Sequence, residues 1–106
     1  MANVLINAPK KVRKGEAFEV KTLVLHPMET GFRTGTSGQL IPRNIIEEFV
    51  ASYNGAEVFR LKMSPAIAAN PFVVFHAAVN ESGTLAFKWT GDEGFTLEQT
   101  HAIAVE

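Results

Sequence analysis

The chain has 106 residues, 46% of them apolar and 20% charged, with a formal net charge of −1 and no cysteine. That suffices for one domain, residues 1–106, built on a single packed core, and leaves little room for a second. The near-neutral balance excludes the concentrated basic face that a nucleic-acid partner needs. The missing thiol excludes disulfides, thiolate metal sites and cysteine nucleophiles.

In chain order, the first apolar run is Val4-Leu5-Ile6, a short strand reaching Asn7. Lys10, Lys11, Arg13 and Lys14 follow it and are answered by Glu16 and Glu19, so the cluster reads as a solvated edge rather than a phosphate track. A signal peptide has the reverse order, charge first and then about 7–15 apolar residues. No run approaches the roughly 20 apolar residues of a membrane span. Taken alone, the residues point to the cytoplasm. Phe18, Val20, Thr22 and Val24 then alternate with Glu19, Lys21, Leu23 and Leu25. Residues 27–40 contain three glycines and no regular period, and a loop of that length in a compact domain is functional or disordered. The run from Ile45 to Tyr53 puts Ile45, Phe49, Ala51 and Tyr53 on one face. Asn54-Gly55 comes next and Val58 to Met63 resumes the alternation, which predicts a type I′ hairpin. Residues 64–71 form a second irregular crossing, with room for one helical turn between Pro65 and Pro71.

Phe72 to Val79 is the next strand, and Glu81-Ser82-Gly83 turns into Leu85, Phe87 and Trp89 on a single apolar face, which predicts that Trp89 lies between two sheets. Asp92-Glu93-Gly94 turns again, and Phe95, Leu97, Ile103 and Val105 share the last inward face with Gln99 and His101. Period two, broken about every ten residues, predicts an all-β, immunoglobulin-like sandwich of about seven antiparallel strands.

Some strands carry more apolar surface than one core can use. Ile46 and Val50 share the second face of their strand with Glu48 and Ser52, Leu23 and Leu25 interrupt another, and Phe72 to Val79 is apolar on both sides. Cover by long loops and cover by a partner subunit both account for this, and periodicity leaves the two open.

Catalytic patterns are missing. Glu47 and Glu48 are strand neighbours whose side chains point to opposite faces and cannot act as an acid–base pair. His26, His76 and His101 stand 50 and 25 residues apart, without paired-ligand spacing, so they read as hydrogen-bonded structural residues. No nucleophile elbow or phosphate-binding loop is present, so neither a metal nor a cofactor is expected.

HPMETG at 26–31 is followed by Arg33, then IPRNII at 41–46, Tyr53-Asn54-Gly55, SPAIAANPF at 64–72 and ESGTLAFKW at 81–89. In that order and spacing, nearly end to end, the chain resembles the SoxZ family of thiosulfate-oxidation proteins. It departs from many members at Ser64, where they have histidine, so no role is carried to that position. The resemblance implies an immunoglobulin-like sandwich that is not an enzyme and that pairs with SoxY, whose cysteine on a flexible C-terminal arm holds the sulfur intermediates. It also implies transient docking of the processing enzymes and a periplasmic location reached by export together with SoxY. For the partner interface we select Ile45, Ile46, Phe49 and Val50, beside a loop carrying His26, Pro27, Met28, Glu29, Gly31 and Arg33. On that choice, Ile46→Asp should weaken pairing more than folding. Expressed alone, the subunit is expected to self-associate as a homodimer. Two other readings stand beside this one: a metal-dependent redox domain of the desulfoferrodoxin kind, whose cysteine ligand this chain lacks, and a free-standing binding module that homodimerises through the same apolar strands.

Overall fold

A computed structural model describes residues 4–64, 66–67 and 69–106; Pro65, Ala68 and residues 1–3, and with them part of the anticipated helical turn at 66–70, lie outside the described residues. Eight strands follow in order: β1 Val4–Asn7, β2 Lys11–Val12, β3 Phe18–Val24, β4 Ile46–Tyr53, β5 Ala56–Lys62, β6 Phe72–Ala77, β7 Gly83–Gly91 and β8 Thr96–Val105. They form a three-stranded sheet, β1-β3-β6, and a five-stranded sheet, β2-β8-β7-β4-β5. The expected all-β sandwich is therefore present. One pairing departs from the antiparallel scheme. The short β2 runs parallel to β8, with Lys11 opposite Ala104 and Val12 opposite Val105, so part of the basic cluster is an edge strand.

The alternation that marks each strand also sorts its side chains. From the smaller sheet Val4, Val20, Val24, Val73 and Phe75 are buried; from the larger, Phe49, Ala51, Leu85, Phe87, Trp89 and Ile103. Phe49 stands at the centre, 4.9 Å from the ring of Trp89 and 6.1 Å from that of Phe75 in the opposite sheet. Phe59 of β5 stacks on Phe75 at 4.7 Å and closes one side of the sandwich. The β4–β5 hairpin turns through Asn54 and Gly55, both at positive φ (49° and 87°), as a type I′ turn requires.

β4 breaks its own alternation. Its register against β7 shifts between Ile46 and Glu48, so Glu47 is an extra residue in the strand. Side chains in a strand alternate with period two, and one inserted residue moves everything before it to the other face. Ile46 is thereby turned inward with Phe49, and both are 0% exposed. The close approach falls at Gly91, opposite Ile46: a β-carbon there would run into the carbonyl oxygen of Ile45. Only glycine leaves β4 and β7 free to pair at this bulge.

Candidate functional site

The segment between β3 and β4 is ordered, not an open loop. Glu29 and Asn44 exchange two backbone hydrogen bonds of 2.8 Å, the Ile41 amide donates to Arg33 at 2.8 Å, and the Gly35 amide donates to Gln39 at 2.9 Å. These ties form an irregular two-limbed arm. The molecule measures 58 × 22 × 21 Å, against about 33 Å for its longest strand of ten residues at about 3.3 Å each. Glu29 and Arg33 clasp one another with contacts of 2.6 and 3.1 Å along the first limb. A β-carbon on Gly31 would stand 3.1 Å from that of Arg43, so glycine allows the limbs to close. Arg43 donates two bonds of 2.8 Å to Asp92 and pins the second limb to the turn before β8. That guanidinium, helped by the Ile45 amide, holds the Asp92 carboxyl below the usual carboxylate range. Phe32 and Leu40 on the arm are 83% and 65% exposed.

The root of the arm is buried. His26 receives the Asn70 amide on its carbonyl at 2.7 Å and donates its own amide to the Asn70 side chain at 3.0 Å, which ties the root to the 64–71 crossing. Its Nδ1 accepts the Met28 amide at 3.0 Å, which assigns the ring proton of the neutral imidazole to Nε2. The ring meets Phe95 edge-on at 4.9 Å. Burial pulls the imidazole below its ordinary 6.5, against smaller upward pulls from Asn44 and Asp92. Because the folded value is the depressed one, the unfolded chain takes up the proton first. Stability is full above about pH 6.5 and is lost as the pH falls from there toward the folded value. Melting temperatures measured between about pH 7 and about pH 5 should therefore decline in the wild type and decline less in His26→Gln. Equal slopes would mean that His26 is not held neutral.

The residues selected from the sequence separate into three places. Ile45, Ile46 and Phe49 are at most 1% exposed and belong to the core, so they offer a partner no side-chain surface. This corrects the assignment of Ile46 to a free second face, and the bulge at Glu47 is the reason. His26 and Met28 are likewise buried, the latter with its sulfur receiving the Ile46 amide at 3.2 Å. Pro27 and Arg33 are exposed on the arm, and Glu29 and Gly31 are half-buried there. Val50 lies half-buried on the outer face of the larger sheet, among charges already matched: Arg60 with Glu48 at 2.7 Å and Lys88 with Glu98 at 3.8 Å.

The surplus apolar residues of β3 and β6 meet on the outer face of the smaller sheet, and none of them is among the residues selected for the interface. Leu5, Leu25, Phe72 and Val74 are 65%, 52%, 60% and 40% exposed, and Leu23 lies half-buried between Leu5 and Phe72. The signal was in the sequence: residues 4–9, 22–28 and 63–80 contain no Asp, Glu, Lys or Arg.

Solved structures similar to this chain include a superoxide reductase (neelaredoxin) from Ignicoccus hospitalis, at 23% identity over 99% of this chain and 81% of that one, with a TM-score of 0.76. A putative superoxide reductase from Thermotoga maritima matches at 22% identity over 97% and 85%, TM-score 0.74. The sulfur carrier protein SoxY from Chlorobium limicola f. thiosulfatophilum matches at 12% identity over 100% and 81%, TM-score 0.70. At these identities the likeness is one of fold. The three histidines of this chain lie apart from one another in different settings. His26 serves the arm root, His76 is exposed beside Glu19 at 3.8 Å, and His101 Nε2 lies 3.0 Å from the Pro9 carbonyl. Among the described residues no three His, Cys, Asp or Glu side chains converge. No curated protein matches the chain significantly. The family model described as "Sulphur oxidation protein SoxZ" matches residues 6–102, nearly the whole length, and the chain belongs to the SoxZ family.

Proposed function

We propose that this chain is the non-catalytic partner subunit of a sulfur-carrier pair in thiosulfate oxidation. It binds a SoxY-type subunit, whose cysteine holds the sulfur, and offers part of the surface on which processing enzymes dock. The match to the SoxZ family over residues 6–102 carries this reading. The chemistry of the chain supports it. A persulfide or thiosulfonate forms on a thiolate, and this sequence has three methionine thioethers and no cysteine. The covalent cargo then belongs to the partner, and this subunit contributes shape. On the same reading the pair works in the periplasm, reached together.

Intact mass spectrometry of both subunits, after incubation with thiosulfate and the processing enzymes, tests the proposal. The added sulfur mass is expected on the partner alone. A sulfur adduct on this chain would sink the scaffold reading.

A further inference from the structure

We propose that the outer face of β1-β3-β6 is where the partner subunit sits, packed sheet against sheet on the row Leu5–Leu23–Phe72. This rests on the reading of the chain as one half of a carrier pair. The three side chains are cross-strand neighbours, Leu5 opposite Leu23 and Leu23 opposite Phe72. Isolated exposed leucines on a monomer call for no explanation, but a contiguous uncharged row does. Interface centres are depleted of charge and rich in large apolar side chains. The row has that composition in a chain that is 20% charged overall.

The edge strand of the sheet carries part of the row. β6 is an outermost strand, and natural sheets blunt such edges with lysine, proline or a bulge. Phe72–Ala77 reads FVVFHA, with no Lys, no Pro and an unbroken register against β3. Packing on the outer face does not pair this edge, but it takes Phe72 and Val74 of the same strand out of water.

The charges choose the occupant. They occupy the other half of the face, beginning at Lys21 opposite Val74, and there Glu19 lies 3.3 Å from Lys21 and 3.8 Å from His76. A two-fold pair of identical chains must bring the same patch to itself. Stacked with strands parallel, the two copies set Lys21 on Lys21 and Glu19 on Glu19. Stacked antiparallel, two copies either lay each apolar row on the other's charged half or, shifted until row meets row, leave Glu19 and Lys21 outside the overlap. A different chain escapes both arrangements by presenting apolar side chains to the row and polar ones to Glu19 and Lys21. An occupant that covers the whole face, as we propose, is therefore the other subunit and not a second copy.

The test uses the full chain and the SoxY subunit of the same organism as the probe. The double variant Leu5→Lys/Phe72→Lys is expected to bind SoxY at least about 100-fold more weakly, as centre-of-interface residues do. Its melting temperature alone should match the wild type, because both side chains are mostly exposed. Val50→Lys on the opposite sheet and Phe32→Ser on the arm should change affinity less than about threefold, as residues outside an interface centre do. Near wild-type binding by the double variant would overturn the choice of face while leaving the pair intact. Failure of the wild type to bind SoxY would instead remove the pair reading and this inference with it. A wild-type homodimer dissolved by the double variant would overturn the choice of occupant. Should the double variant not fold, hydroxyl-radical footprinting of the wild-type pair decides. Leu5 and Phe72 must lose reactivity on pairing while Phe32 keeps it, and the reverse pattern refutes the assignment.

Discussion

Ile46→Asp is expected to abolish the native fold rather than to weaken partner binding in a folded subunit. The side chain is 0% exposed, next to the bulge that turns it inward, and its amide is donated to the Met28 sulfur. A carboxylate placed there meets neither water nor a cation; Arg43, the base nearest in sequence, is already committed to Asp92. Burying an unpaired charge costs several kcal/mol, and domains of this size are stable by about 5–15 kcal/mol in all. Relief by protonation still leaves a desolvated polar group and a lost apolar one. Circular dichroism melts decide the matter: a cooperative transition near the wild-type temperature would show that Ile46 faces solvent after all. Ile46→Val keeps the apolar contact and should cost about 0.5–1.5 kcal/mol.

Phe49→Ala should come close to the same outcome by a different route. Phe49 bridges the sheets, its ring 4.9 Å from Trp89, 6.0 Å from Phe59, 6.1 Å from Phe75 and 6.2 Å from Phe87. Truncation leaves a cavity whose walls are themselves rigid aromatic rings and relax little into it, so the upper part of the usual range of about 3–5 kcal/mol applies. Phe49→Leu retains most of the volume and should lose markedly less. Urea denaturation of the three proteins, with the slope of the transition held constant, gives the comparison. A loss under about 1 kcal/mol for the alanine variant would mean that the aromatic cluster is not the centre of the core.

The two experiments probe one property, the inward face of β4, and that face was only half legible. The sequence determined the strands whose alternation is clean. The β4–β5 hairpin follows from Asn54-Gly55 because few residues besides these tolerate positive φ. The burial of Trp89 follows from Leu85, Phe87 and Trp89 falling on alternate positions, with the small or polar Ala86, Lys88 and Thr90 on the other face. The family followed from motif order. Tertiary structure decided the rest. The extra residue at Glu47 is invisible to a period of two, since its only signature is pairing with β7, and it moved Ile46 from the surface to the core. The arm at 27–45 has no local period because its order comes from contacts between its two limbs, and from Arg43 and His26 reaching Asp92 and Asn70 far along the chain. The apolar row on the smaller sheet needed β1, β3 and β6 to be set side by side, residues 5, 23 and 72 meeting across two ladders. Local alternation is written into neighbouring residues, whereas register, bulges and faces shared by several strands come from hydrogen bonds between distant segments.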